Sequence, residues 1–106
     1  MKKKKLYHKL VRDRIPEIIE NDGKRFRVVQ YEPGTLQSYA MKKLQEEVQE
    51  FIEDPCAEEA ADILEVLEFI CHRHGIHQKS IEAARTAKFV TRGGFQMGYV
   101  LEWVEE

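Results

Sequence analysis

The stretch Lys43-Leu44-Gln45-Glu46-Glu47-Val48-Gln49-Glu50-Phe51-Ile52-Glu53-Asp54-Pro55-Cys56-Ala57-Glu58-Glu59-Ala60-Ala61-Asp62 decides how this chain is read. It carries two acidic pairs, Glu47 with Glu50 and Glu59 with Asp62. Residues three apart lie on one face of a helix, one turn from each other. Pro55 and its polar neighbours are the only break between the pairs. Proline is tolerated in the first turn of a helix but not in its interior, so the chain is expected to fold back there into a helical hairpin. In such a hairpin, residues equidistant from the turn lie level, which sets Glu50 opposite Glu59 and Glu47 opposite Asp62. These two rungs are expected roughly 4.5 Å apart along the axis, at a rise of about 1.5 Å per residue. Four carboxylates converging between two helices repel one another unless something positive sits among them, and hard divalent cations with all-oxygen shells are natural occupants.

The 106 residues outside and including this hairpin suit one domain, small enough that oligomerisation would help it. A hydrophobic fraction of 42% fits a globular protein, and a charged fraction of 34% is high for one. The formal net charge of −2 argues against a partner that is a nucleic acid, despite the run from Lys2 to Lys5, which reads as part of a solvated basic tail over residues 1–6. Lys9, Arg12, Asp13 and Arg14 interrupt any apolar region that a signal peptide would need, and no stretch is long and apolar enough to cross a membrane. Two cysteines, Cys56 and Cys71, make no disulfide framework and point to a reducing, cytoplasmic setting.

Before the hairpin, Asp13 is expected to cap a short helix with Pro16 in its first turn and Gly23 past its end. The stretch from Lys24 to Glu32 has the β-branched and aromatic content of a strand, and Gly98-Tyr99-Val100-Leu101-Glu102-Trp103-Val104 has the same character. They are expected to form a minor two-stranded ribbon, extended across a dimer because an isolated ribbon is marginal. Pro33 and Thr35 open the first long helix, whose apolar stripe runs through Leu36, Ala40, Leu44, Val48 and Phe51 or Ile52. The second, from about Ala57 to His74, is apolar on two sides and reads as a buried central helix. A third runs from about His77 to Phe89. The architecture expected is mainly α, a small helical bundle with a minor β ribbon, completed by a homodimer or higher homo-oligomer.

An acidic helix face is ordinarily just solvated. Here the rungs match across the turn, and Asp62 interrupts a helix that is otherwise nearly all apolar, where an unpaired carboxylate is costly. Glu46 lies one turn before Glu50 and Glu58 one turn before Asp62, either as helpers of the site or as surface. Lys43, four residues before Glu47, offers either an intrahelical ion pair or a phosphate contact at the mouth of a metal site. Cys71, His72, His74 and His77 match no closed zinc set, since His72 and His74 point to different sides of a helix.

Glu46-Glu47-x-x-Glu50 followed by Glu59-x-x-Asp62 resembles the paired acidic motif of the all-α nucleoside triphosphate pyrophosphohydrolases, the MazG-like group that includes phosphoribosyl-ATP pyrophosphohydrolase. The opening Lys9-Leu10-Val11-Arg12-Asp13-Arg14-Ile15-Pro16 and the late Arg92-Gly93-Gly94-Phe95 are similar to a short, single-domain branch of that group. The chain departs from many relatives at Ala60-Ala61 and in the short turn between the acidic pairs. The resemblance implies an enzyme that hydrolyses a nucleoside triphosphate to monophosphate and pyrophosphate. It implies Mg²⁺, or Mn²⁺, held by Glu47, Glu50, Glu59 and Asp62. Glu46, Glu47 and Glu50 are then the catalytic candidates, with Glu46 as the group that takes a proton from water. Lys43, Arg12, Arg14, Lys88 and Arg92 are the candidates for binding the polyphosphate of the substrate. The alternative from another class is a dimeric interaction module that uses the same carboxylates for a structural metal and catalyses nothing.

Overall fold

The computed structural model describes residues 3–105. It is mainly helical, with α1 at Ile15–Asn21, α2 at Pro33–Glu53, α3 at Ala57–Arg73 and α4 at Gln78–Arg92. Residues 1 and 2 of the expected basic tail lie outside the described residues, while residues 3–6 are exposed and outside any helix.

The hairpin forms where Pro55 places it. The backbone N–H of Asp54 closes the last turn of α2 on the Glu50 carbonyl at 3.0 Å, Pro55 cannot continue the ladder, and Cys56 begins α3 in an extended conformation. Only α2 and α3 pack against each other among the helices. Ala40 and Ile70, at nearly equal distances from the turn, are buried at the far end of the hairpin. At the other end of α2, Glu32 is the N-cap: its carboxylate accepts from the Thr35 N–H at 3.1 Å and from the Thr35 hydroxyl. These bonds hold the Glu32 carboxyl below its ordinary pKa, with the hydroxyl bond the larger cause. The Tyr31 and Tyr39 rings stack with centroids 5.3 Å apart, which fixes the direction from which the chain enters α2.

One expectation about a helix end needs correction. Arg14, not Asp13, is the N-cap of α1, and no side chain caps it; Arg14 instead donates to Glu17 at 3.1 Å. α4 runs to Arg92, stopping where Gly93 takes a φ of 79° that side chains disfavour.

No strand forms among the described residues, so the expected ribbon between 24–32 and 98–104 is not made within the chain. A lone pair of strands leaves most of its backbone groups and one whole face without partners, and such a pair does not hold by itself. α3 is likewise not buried as a central helix in the single chain. α2 is the one helix that packs on it, and Leu64 is 65% exposed. α4 packs on no other helix, and Phe89, Val90, Phe95 and Trp103 are exposed. The radius of gyration is 19.0 Å. A compact chain of this length would have about 13 Å, so much of the apolar surface is left uncovered by the chain itself.

Candidate metal centre

The helical spacing of α2 puts Lys43, Glu46, Glu47 and Glu50 along one side, and α3 brings Glu59 and Asp62 level with it across the hairpin. Glu47, Glu50 and Glu59 converge, each offering a carboxylate oxygen within 4.8 Å of the others. Glu47 is only 5% exposed, deep in the interface for a charged residue. One of its oxygens, Oε1, is held by Lys43 Nζ at 3.1 Å. Its other oxygen, Oε2, is buried with no hydrogen-bond partner, and so is Oε2 of Glu59. Orphaned buried oxygens of this kind are costly, and a cation is the simplest group that satisfies several at once.

The crowding shows in Glu50. Its carboxyl pKa is raised above the ordinary value, first because the protonated form can donate to Glu47, then because ionised Glu47 repels it, with burial, Glu59 and Glu46 adding to the shift. The trio therefore holds its full negative charge under strain unless it is offset.

Glu50 and Glu59, level across the hairpin, come together with Glu47, while Asp62 is not one of the converging three and pairs with Arg12, whose Nη2 is 2.6 Å from Oδ1. Arg12 is kept more firmly protonated than usual, chiefly by this hydrogen bond; burial opposes it, and the charges of Asp62, Glu65 and Glu47 add to it. Glu46 is also outside the trio, spanned by Lys43 Nζ at 3.6 Å and Lys9 Nζ at 3.4 Å.

The cationic candidates separate into three groups. Lys43 makes the intrahelical ion pair with Glu47, its side chain 16% exposed. Arg12 is brought to the site but onto a carboxylate, and Arg14, the N-cap of α1, pairs with Glu17 in the first turn of that helix. Lys88 and Arg92 sit on α4, which the single chain does not bring to the cluster. Lys9, from the opening stretch Lys9–Pro16, is a further cation brought to the acidic side, on Glu46. The acidic surplus of the hairpin is the signal in the sequence that calls for counterions from elsewhere in the chain. Shallow depressions on α2 around Gln37 and Gln45, and on α4 around Arg85 and Phe89, take in none of the carboxylates.

The chain matches no family model, no curated protein and no solved structure. Among the described residues, no helix is long and apolar enough to cross a membrane.

Proposed function

We propose that this protein is a divalent-metal-dependent nucleoside triphosphate pyrophosphohydrolase of the all-α, MazG-like kind, cleaving between the α and β phosphates to release pyrophosphate. The observation that carries the reading is the convergence of Glu47, Glu50 and Glu59 across the hairpin, with two buried carboxylate oxygens lacking partners. That donor set, all hard oxygen, suits Mg²⁺ or Mn²⁺ and suits neither a soft metal nor a neutral ligand.

Glu47, Glu50 and Glu59 would hold the ion, with Asp62 a further ligand if Arg12 releases it. When bound, the ion neutralises phosphate charge and lowers the pKa of a coordinated water. Glu46, adjacent and paired with Lys43 and Lys9, would be the carboxylate that accepts a proton from the attacking water. Lys43 and Arg12 supply positive charge at the mouth of the cluster. Arg14, Lys88 and Arg92 join the site only through a rearranged terminus or a second subunit.

A homodimer or higher homo-oligomer is part of the proposal. The uncovered side of α3, the unpacked α4 and the elongated shape all support it. In that assembly 24–32 and 98–104 would find the strand partners they lack in one chain. A nucleotide substrate and two free cysteines, Cys56 and Cys71, favour a cytoplasmic setting.

The test is pyrophosphate release by the purified protein with Mg²⁺ and with Mn²⁺, over a panel of ordinary and modified nucleoside triphosphates. Release with any of them supports the enzyme. Metal binding without release from any member of the panel favours the non-catalytic interaction module, for which the extensive exposed apolar surface is the supporting observation.

A further inference from the structure

Asp62 lies across the hairpin from Glu47, yet it is held by a guanidinium from a segment fifty residues earlier in the chain, with Arg12 Nη2 2.6 Å from Asp62 Oδ1. Lys9, three residues before Arg12, holds Glu46 at 3.4 Å, so the same segment is fastened at two points to the acidic side of the hairpin. Leu10 and Val11 between them are half-buried. Next to this strap, the nearly buried Glu47 keeps an oxygen with no partner.

We infer that Arg12 is a positioning residue acting through Asp62: it is an internal counterion that withholds Asp62 from Glu47, Glu50 and Glu59, and thereby sets the affinity of the cluster for a divalent cation. This rests on the metal-centre reading and deepens it. A guanidinium and a divalent cation are alternative counterions for one carboxylate. By linkage, whatever strengthens the Arg12–Asp62 pair weakens the metal, and the reverse. With Arg12 in place the cluster offers three carboxylates; with Asp62 released it offers four.

Calorimetric titration with Mn²⁺ of the wild type, Arg12→Gln, Asp62→Asn and the double variant tests this, with circular dichroism to establish that each is folded. The expected result is that Arg12→Gln tightens Mn²⁺ binding about five-fold or more, as for an ordinary coupling between two ligands of one site. Asp62→Asn leaves it within about two-fold of wild type, because Asp62 is already withheld from the cluster, and in the Asp62→Asn background the Arg12→Gln change alters affinity less than about two-fold, because the partner through which it acts is gone. A general electrostatic effect of losing one nearby positive charge would instead tighten binding equally in both backgrounds, and that result would overturn the inference. So would an Arg12→Gln affinity equal to or weaker than wild type. A wild type that binds no Mn²⁺ refutes the metal centre itself and this inference with it. A wild type that binds, with no dependence on Arg12, refutes the inference and leaves the centre standing.

Discussion

Lys43 Nζ lies 3.1 Å from Oε1 of Glu47, the one ion pair that the nearly buried carboxylate makes among the described residues. Removing the lysine leaves a buried charge beside two others. Lys43→Met should therefore lower the stability of the metal-free protein by about 1–3 kcal/mol, the cost of orphaning a buried polar group. Saturating Mg²⁺ should recover most of that loss, because the ion takes over as counterion for Glu47. Melting curves of both proteins, with chelator and with millimolar Mg²⁺, check it. A loss that Mg²⁺ does not reduce would show that the cluster is not where the ion binds.

Glu50 gives a pH dependence of unusual sign. Its carboxyl is raised above the ordinary value of 4.5 in the folded chain by Glu47, burial, Glu59 and Glu46. Between the unfolded and folded values the folded state holds more protons, so stability falls as pH rises through that window and stays lower above it. Glu50→Gln removes this decline. In chelator, the variant should match wild type at pH below the window and be the more stable of the two at pH 7, as read by denaturant unfolding at both pH values. Glu32 works in the opposite sense, since its depressed carboxyl pKa gives stability that is lost as pH falls through the folded value.

The hairpin and its facing carboxylates were legible because a single proline and a three-residue spacing fix them locally. Glu50 and Glu59 meet as the spacing requires. Asp62 does not join them, and spacing alone had no means to show it: the competitor, Arg12, comes from a segment with no helical periodicity to place it. The strand content of 24–32 and 98–104 was real as composition, but composition reports a side-chain preference and not the presence of a partner. The two-sided apolar pattern of α3 implies burial within a bundle, whereas in one chain α2 is the one helix packed on it. In both cases the sequence carries a demand for contacts that the chain does not meet alone.

That unmet demand predicts an oligomer. Light scattering at micromolar concentration should give at least twice the 12.5 kDa mass of the chain. Leu64, 65% exposed on α3, marks the face to test. Leu64→Glu removes little from the core of a single chain but places a charge in any interface built on that face, so it should shift the protein toward monomer. A wild type that scatters as a monomer would refute the assembly.

The final prediction separates catalysis from folding at the cluster. Glu47→Gln, Glu50→Gln and Glu59→Gln each remove one negative charge with little change of shape. Each should weaken Mg²⁺ binding and cut the rate of pyrophosphate release by a factor of about 100 or more, as expected when an interaction with developing phosphate charge is lost. In chelator, Glu50→Gln and Glu59→Gln should leave the melting temperature equal or raised, because each relieves repulsion within the trio. Glu47→Gln is the exception, since it also gives up the Lys43 ion pair. The control is Glu53→Gln, whose residue lies on the same helix, is exposed and, among the described residues, accepts from the Gln49 side chain alone, at 3.2 Å. It should change neither the rate nor the metal dependence of the melting curve. The ordering is what matters: a protein crippled by Glu53→Gln and untouched by Glu50→Gln would place the reactive metal on another face of α2, and the hairpin register would have to be rebuilt around it.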